Sequence, residues 1–236
     1  METQARTLNS GFISRMERGR PWVRVKLAAS LDGRTAMASG ESKWITGDAA
    51  RRDVHLWRAR SCAVITGIGT VLADDPALTA RDQPAWARPP EQPLRVVLDS
   101  GLRLPPHARL LQQAGPVLIC TGSSDRARIG ALEAAGAQVC RLAGHASPDP
   151  GTVLRHLAER QVNEVLVECG PTLAGAFLLA GMVDELLLYQ APHLMGDAAR
   201  PLLRLPGLAA MEQRLPLRLR DVRRIGEDLR LLLEPA

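Results

Sequence analysis

The strongest constraint on the fold is a regular alternation of short apolar runs and helical stretches in the second half of the chain. Residues 94–98, 116–120 and 164–167 are predicted as buried strands, and residues 126–135 and 172–180 as helices. Unbroken apolar runs are typical of strands covered on both faces, and strands separated by helices pair in parallel. The pattern predicts an α/β fold, with a mainly parallel central sheet and helices on both faces.

Both ends of the chain depart from this alternation. Residues 214–222 alternate apolar and charged side chains, Gly226 marks a turn, and residues 228–233 form a second extended run. Such alternation is typical of half-exposed strands. We therefore expect an antiparallel C-terminal ending. Residues 1–20 are polar and irregular, which predicts a leader or a remnant of an inter-domain linker, with one folded domain over residues 21–236.

Charge and composition narrow the class of ligand. The formal net charge is +5 and the basic residues are dispersed, which favours a phosphorylated small molecule over nucleic acid. Aromatic residues are only 3% of the chain, too few for a platform that stacks single-stranded bases. We therefore expect neither a nucleic-acid partner nor a membrane partner, since no apolar run reaches the length of about 18 residues that a span needs.

The four cysteines are expected to be buried free thiols in a reducing compartment. They show no metal-ligand spacing, and each lies in or beside an apolar run: Cys62, Cys120, Cys140 and Cys169. The N-terminus carries no signal-peptide pattern. Together these features predict a soluble cytoplasmic protein without a metal site.

Residues 26–81 combine small residues, hydroxyls and charges in turn-rich sequence between apolar runs. Arg58 and Arg81 are candidates for a phosphate clamp because guanidinium groups match phosphate oxygens, and Ser42 adds a hydroxyl donor. Solvated surface arginines are the alternative. Asp74 and Asp75 precede a proline, so they form either a turn device or a carboxylate near a reacting carbon.

Residues 168–176, with the sequence ECGPTLAGA, are the clearest phosphate-type signal. A buried strand ends at Glu168, and Gly170 and Pro171 open a helix of small residues. The free N–H groups of a first helical turn favour an anion. A plain strand-to-helix turn with small packing residues is the alternative. The stretch 66–70 lacks the third glycine of a dinucleotide fingerprint. No histidine stands out, and no pattern supports metal hydrolysis, zinc deamination or serine hydrolysis.

Several motifs in combination resemble one family, the reductase half of the bacterial riboflavin-biosynthesis deaminase/reductase. They are V-K-x-A-x-S-x-D-G at 25–33, S-x-W-I-T-G at 42–47, T-V-L-A-D-D-P-x-L-T-x-R at 70–81, V-L-D-S at 97–100 and E-x-G-P-T-L-A-G-A at 168–176. A further match, N-x-G-F-x-x-R-M at 9–16, resembles the segment that joins the deaminase half to the reductase half.

The resemblance implies a dihydrofolate-reductase-like α/β fold and an NADPH-dependent oxidoreductase. The implied reaction reduces the ribose of 5-amino-6-(5-phosphoribosylamino)uracil to the ribityl chain of 5-amino-6-(5-phosphoribitylamino)uracil, by hydride transfer to C1′ of the ring-opened imine. It also implies a homodimer or larger homo-oligomer. The deaminase half is absent from this chain, so the natural protein is either a free-standing reductase or longer.

The resemblance also implies a set of site residues. The phosphorylated pyrimidine substrate would be met by Ser42, Arg58, Leu78 through its backbone, Arg81 and Glu168. The cofactor would be met by Ala28, Trp44, Thr70, Asp74, Ser100, Gly170, Pro171, Thr172, Leu173, Ala174, Gly175 and Ala176. The reaction needs a proton, and the candidate acids are Asp74, then Lys26 and Glu168. Alternatives are another reductase of the same fold acting on a diaminopyrimidine or dihydrofolate, and a non-catalytic nucleotide-binding module.

Overall fold

The chain folds into two compact units in a computed structural model that describes residues 2–81, 92–142 and 148–236. Unit 1 comprises Met1–Trp22 and His55–Val167, and unit 2 comprises Val23–Val54 and Glu168–Ala236. The helix Asp48–Arg60 begins in unit 2 and ends in unit 1. The interpretation of residues 21–236 as one folded domain remains a prediction.

Helices and strands alternate along most of the chain. In chain order they are α1 (Glu2–Leu8), α2 (Ser10–Arg18), β1 (Trp22–Ser30), β2 (Arg34–Ala36), α3 (Asp48–Arg60), β3 (Ala63–Gly67), α4 (Ile68–Asp74), β4 (Leu94–Leu98), β5 (Val117–Thr121), α5 (Arg126–Ala134), β6 (Gln138–Arg141), α6 (Pro150–Glu159), β7 (Glu164–Glu168), α7 (Pro171–Leu179), β8 (Glu185–Ala191), β9 (Arg200–Pro201), β10 (Leu217–Ile225) and β11 (Asp228–Pro235).

The strands of unit 1 are parallel, in the order β7-β3-β4-β5-β6. All five residues of β4 and all five of β5 are buried, as expected of strands covered on both faces. One core cluster combines Val97 of β4 and Ile119 of β5 with Val71 of α4 and Leu132 of α5. The predicted α/β fold with a mainly parallel sheet is thus confirmed, and the helices after the strands cover part of that core.

The strands of unit 2 are in the order β10-β11-β8-β1. β1 and β8 are parallel, whereas β11 is antiparallel to β8 and to β10. The predicted antiparallel C-terminal ending is confirmed. A separate short ladder pairs β2 with β9.

The N-terminal segment is not irregular, as the sequence suggested, but folds into α1 and α2. Gly11 and Ser14 of α2 are buried, and the Arg15 guanidinium donates a hydrogen bond to the side-chain oxygen of Asn163 at 2.7 Å. These contacts are long-range in sequence, so local composition could not reveal them. The interpretation of residues 1–20 as an inter-domain linker remains a proposal.

Two further expectations from sequence were wrong. Residues after β3 were expected to form a loop punctuated by Gly67 and Gly69, but they form α4. Of the four cysteines, which are all free, Cys120 is buried whereas Cys62 is exposed. Neighbouring apolar residues therefore did not predict the burial of every thiol.

Arg95 is a fully buried cation in β4. Its guanidinium donates hydrogen bonds to the carbonyls of Leu110 at 2.6 Å, Gln113 at 3.2 Å and Ala114 at 3.0 Å, and also to that of Gly115. Burial lowers the pKa of Arg95 from its ordinary value. Backbone carbonyls thus solvate a charge that water cannot reach, and the charge fixes residues 110–115 against the sheet.

We expect Arg95→Met to destabilise the protein by about 1–3 kcal/mol, because the buried carbonyl of Leu110 would lose its donor. The measurement is urea denaturation followed by circular dichroism. Arg103→Met, at an exposed position nearby, is the control, and its effect should stay within about 0.5 kcal/mol. Equal midpoints for the two variants would contradict the anchoring role of Arg95.

Candidate functional site

The predicted site residues are divided between the two units, and each unit contains its own set of them. Unit 2 contains Lys26, Ala28, Ser42, Trp44 and the whole stretch 168–176. Unit 1 contains Arg58, Thr70, Asp74, Leu78, Arg81 and Ser100. Most of these residues lie in a loop or first helical turn that follows the carboxyl end of a strand.

In unit 2, β7 ends at Glu168 and α7 begins at Pro171, as the sequence predicted. Gly170 is the N-cap, with φ −73° and ψ 171°, and no side chain caps the helix. The first turn contains no acidic residue. A Cβ added at Gly170 would have nothing within 4 Å. The positive end of the helix is therefore open and suited to an anion.

The small size of Gly175 allows the backbone of Arg204 to approach α7 closely. A Cβ at this position would lie 2.0 Å from the carbonyl oxygen of Arg204, and Arg204 also donates its backbone N–H to the carbonyl of Pro171 at 3.1 Å. The close approach that excludes a side chain at Gly175 is thus made by the protein's own backbone. A substitution here would test packing before it tested a ligand.

Lys26, Ala28 and Ser30 share one face of β1, because alternate residues of a strand point to the same side. The Lys26 ammonium lies 5.9 Å from the centroid of the Tyr189 ring. The Tyr189 hydroxyl donates to Asp53 at 2.5 Å, and Arg230 pairs with the same carboxylate at 2.9 Å. This network links β1, α3, β8 and β11, and it gives Lys26 an aromatic neighbour.

Trp44 is the most exposed large aromatic side chain near the site, at 69%. The Arg51 guanidinium lies 4.4 Å from its ring centroid, and Arg51 is held in turn by Asp48 and by the Thr46 carbonyl at 2.5 Å. This stacking fixes the indole although water reaches much of it. The predicted start of α3 near Asp48 is confirmed.

Trp44 and Ser42 line a pocket of about 320 Å³ within unit 2. Its other lining residues include Lys43 and the segment 193–195. Sequence reasoning placed Ser42 and Trp44 at a binding site but gave no role to residues 193–195. Their contribution arises from the loop after β8, far away in sequence.

The Asp32 carboxylate joins the end of β1 to the loop after β8 through hydrogen bonds. Asp32 accepts hydrogen bonds from the Ser30 hydroxyl at 2.5 Å and from the backbone N–H groups of Met195 at 3.1 Å and Gly196 at 2.8 Å. The Ser30 bond above all lowers the pKa of Asp32 to about 2; desolvation opposes this effect, and the two backbone N–H groups add to it. The carboxylate is therefore ionised at neutral pH.

In unit 1, Thr70 and Asp74 lie four residues apart on α4 and so share one face of that helix. Asp75 has a left-handed backbone, with φ 42°, and its carboxylate accepts the Arg109 backbone N–H at 2.8 Å. Asp75 anchors a turn, whereas Asp74 is half-buried and has no side-chain hydrogen bond to any residue that the structure describes.

Residues 78–81 form a backbone segment held by the second half of α3. Leu78 has φ 53° with its side chain 3% exposed, an unusual conformation for a large residue. The Thr79 carbonyl lies 3.1 Å from a donor nitrogen of Arg58 and 3.0 Å from Nδ1 of His55, and the Arg81 N–H lies 3.2 Å from that same Nδ1. Arg58 therefore shares its guanidinium with the protein backbone.

Ser100 follows β4 in a turn that Asp99 organises. Asp99 is fully buried and its Oδ2 accepts the Leu104 backbone N–H at 2.8 Å. The Ser100 carbonyl accepts the Thr121 hydroxyl at 3.2 Å. The predicted cofactor residue is thus fixed through its backbone, which leaves its side chain as the part available to a ligand.

Sequence reasoning missed His55, Asp99 and Asp32 as residues that shape the site. Each acts through backbone groups of a loop. The partner of Asp99 is five residues away, whereas His55 and Asp32 bind segments distant in sequence. His55 offered one signal, since it is three residues before Arg58 and so shares its helix face.

Within residues 2–81, 92–142 and 148–236, no group of three or more His, Cys, Asp or Glu side chains is arranged to hold a metal ion. In the same residues, no helix is long and apolar enough to cross a membrane.

Comparison with known proteins identifies the family. The family model described as RibD C-terminal domain matches residues 21–231. This chain belongs to the RibD C-terminal domain family. The match begins just after α2, near the boundary at residue 21 that the sequence suggested for the folded domain.

Relatives extend the match to the whole chain. The riboflavin biosynthesis protein RibD of Escherichia coli strain K12 is 44% identical over 241 residues, which cover 99% of this chain and 65% of that protein. The structure of Acinetobacter baumannii RibD, form 1, has a TM-score of 0.88 at 42% identity and covers 100% of this chain and 64% of that one. The chain therefore spans somewhat less than two thirds of these relatives.

A second similar structure carries a more specific description. It is a diaminohydroxyphosphoribosylaminopyrimidine deaminase/5-amino-6-(5-phosphoribosylamino)uracil reductase from Thermotoga maritima, with a TM-score of 0.83 at 27% identity. It covers 100% of this chain, which in turn covers 62% of it. The similarity supports the RibD C-terminal fold for the whole chain.

Two helical glycines allow a direct test of the packing in α7. We expect Gly175→Ala to destabilise the protein by about 1–3 kcal/mol, because its Cβ would clash with the Arg204 carbonyl. Gly130→Ala in α5, where nothing lies within 4 Å, should instead stabilise by roughly 0.5–1 kcal/mol, the usual gain in helix propensity. Thermal unfolding of both variants measures the difference, and a neutral Gly175→Ala would refute the contact.

Proposed function

We propose that this chain is an NADPH-dependent oxidoreductase of riboflavin biosynthesis. It reduces the ribose of 5-amino-6-(5-phosphoribosylamino)uracil to give 5-amino-6-(5-phosphoribitylamino)uracil. The observation that carries the proposal is the RibD C-terminal domain match over residues 21–231, together with the reductase named in the Thermotoga maritima relative.

The residues at α7 fit a pyrophosphate-bearing cofactor. Gly170 leaves the N-terminus of α7 open, no side chain caps the helix, and its first turn has no acidic residue. The first-turn N–H groups have no partners within the helix and can donate to phosphate oxygens. We assign the stretch 170–176 to the cofactor through this turn, with Gly175 supporting it by packing.

NADPH, when bound, supplies the hydride that reduces C1′ of the ring-opened ribose. Cofactor contacts from Ala28, Trp44, Thr70, Asp74 and Ser100 belong to the same proposal. The protein's own task is to orient both ligands and exclude water, because transfer needs reacting atoms at about 3–3.5 Å.

Arg58 and Arg81 are assigned to the substrate phosphate, with Ser42 and Glu168 toward the ribose and Leu78 contributing its backbone. The left-handed backbone of the buried Leu78 supports this last assignment, since costly conformations persist where the surrounding structure fixes them. Arg58 donates to the Thr79 carbonyl, so its substitution would also disturb the backbone of residues 78–81, and we therefore test the clamp at Arg81.

Reduction of the imine requires a proton as well as a hydride. Asp74 is the first candidate to hold that proton, because its carboxyl group is half-buried and makes no side-chain hydrogen bond within the described residues. Lys26, beside the Tyr189 ring, and Glu168, at the end of β7, follow it.

The proposal includes a homodimer or larger homo-oligomer, and a deaminase domain in a longer natural chain. Leu186, Leu187 and Tyr189 of β8 are buried. Exposed apolar side chains lie on the edge strand β10, where Leu219 is 53% and Val222 is 47% exposed. This edge is the more suitable surface for a second copy.

A charge placed at the N-cap tests the cofactor assignment. We expect Gly170→Asp to raise the Kd for NADPH at least about tenfold, because its carboxylate would occupy and neutralise the anion site. Thermal stability should be unchanged or higher, since Asp is a good N-cap. Gly170→Asn, of the same size without charge, is the control. Equal NADPH affinity in both variants, measured by fluorescence titration, would place the pyrophosphate elsewhere.

The turnover assay follows NADPH absorbance with the phosphoribosylamino-pyrimidine as substrate. We expect Arg81→Ala to raise KM for this substrate about 10–100-fold, through loss of a charge-assisted contact to phosphate.

In the same assay, Asp74→Asn should lower kcat more than it raises KM, because the amide keeps the shape of the carboxyl group but cannot supply the proton.

Three outcomes of this assay would contradict parts of the proposal. No turnover by the unchanged chain, with NADPH bound, would favour a nucleotide-binding module. Full activity of Arg81→Ala would remove the phosphate clamp. Unchanged kcat in Asp74→Asn would remove that residue from the proton step.

A further inference from the structure

Ser30 and Asp32 have no role in the function proposed above. Asp32 lies in the turn after β1, and its carboxylate accepts three donors: a serine hydroxyl and two consecutive backbone N–H groups. Hydrogen bonds to an ionised acceptor are about twice as strong as neutral ones. The carboxylate therefore binds the loop that contains Met195 and Gly196.

A second set of contacts fastens the same two segments. The backbone N–H of Leu31 donates to the His193 carbonyl at 2.8 Å, and the Gln190 amide donates to the Leu31 carbonyl at 3.3 Å. The residues 193–196, hereafter the 193–196 loop, are thus held at both ends by the turn 30–32. All of these contacts lie within unit 2.

The 193–196 loop is one wall of the pocket that Ser42 and Trp44 also line. Its volume of about 320 Å³ is near the lower end of the range for small-molecule pockets, enough for part of a nucleotide. The walls offer an indole ring, an imidazole, a thioether and a hydroxyl, from Trp44, His193, Met195 and Ser42. Flat aromatic surfaces beside hydrogen-bonding groups suit a flat nitrogen heterocycle with polar edges.

We propose that Asp32 is a positioning residue that holds the 193–196 loop as a wall of this pocket, and that the pocket takes the flat nitrogen heterocycle of a bound nucleotide. Asp32 itself faces backbone and does not touch the ligand. The choice of heterocycle rests on the proposed function, which supplies two: the uracil ring of the substrate and the nicotinamide ring of the cofactor.

The test compares Asp32→Asn with a matched control, Asp149→Asn. Asp149 accepts the same set of donors, namely the backbone N–H groups of Gly151 at 3.3 Å and Thr152 at 2.8 Å and the Thr152 hydroxyl at 2.7 Å. It caps α6 in unit 1, away from any assigned site residue. Both variants lose one charged acceptor, so a purely structural role predicts the same loss of stability and no loss of affinity in either.

We expect Asp32→Asn to weaken ligand binding about tenfold, with kcat changed less than KM. Asp149→Asn should leave the KM for the substrate and the KM for NADPH unchanged. A rise in the substrate KM alone assigns the pocket to the uracil ring, and a rise in the NADPH Kd alone assigns it to nicotinamide. Unchanged affinity for both ligands in a folded Asp32→Asn variant overturns the proposal.

His193→Ala provides an independent variant, because its side chain is exposed and lines the pocket while its backbone carries the contact to Leu31. It should fold normally and weaken the binding of the same ligand as Asp32→Asn does. If the two variants weaken the binding of different ligands, or if His193→Ala weakens the binding of neither ligand, the 193–196 loop is not a wall of a ligand-binding pocket.

An assay of the unsubstituted chain distinguishes failure of the proposed function from failure of this inference. If that chain shows no turnover, the reductase proposal fails, and the inference is tested by titrating NADPH and uridine 5′-monophosphate against the fluorescence of Trp44. The Asp32→Asn variant must then bind one of these probes about tenfold more weakly than the Asp149→Asn control does. Equal binding of both probes by the two variants refutes the inference.

Discussion

The structure depends on strands that are mostly apolar and are buried on both sides. β4 and β5 leave no residue at the surface, and β3 and β7 leave only their ends. The backbone N–H and C=O groups of such strands must find partners in neighbouring strands, because water cannot reach them. Parallel pairing then requires a crossover after each strand, and the crossovers after β3, β5 and β6 contain the helices α4, α5 and α6.

This constraint also determines where polar chemistry is found. A strand buried from end to end has no room for ligand-binding groups, so these groups occur just beyond its carboxyl end. Thr70 follows β3, Ser100 follows β4 and Gly170 follows β7. The same rule holds for Asp32 after β1 and His193 after β8. Chain connectivity thus concentrates hydroxyls, carboxylates and free helical N–H groups at one kind of position.

Buried or bound charges then fix these loops. Arg95 binds four carbonyls of residues 110–115, Asp99 binds the turn beside Ser100, and Asp32 binds the 193–196 loop. In each case one side chain satisfies backbone groups of a segment without regular structure. Such anchors make a loop definite in shape, which a binding site requires because its donors must be placed before the ligand arrives.

The sequence by itself determined the α/β fold, the antiparallel ending, the start of α3 and the turn from β7 to α7. These features follow from hydrophobic periodicity and from helix-start residues, which act over a few neighbouring positions. Tertiary structure decided the rest: two units, a helical N-terminus, the packing of Gly175 against Arg204, the turn that Asp75 anchors, and the pocket wall at His193. Each of these depends on contacts between residues far apart in the chain, and a local pattern carries no information about which distant backbone group will be the partner.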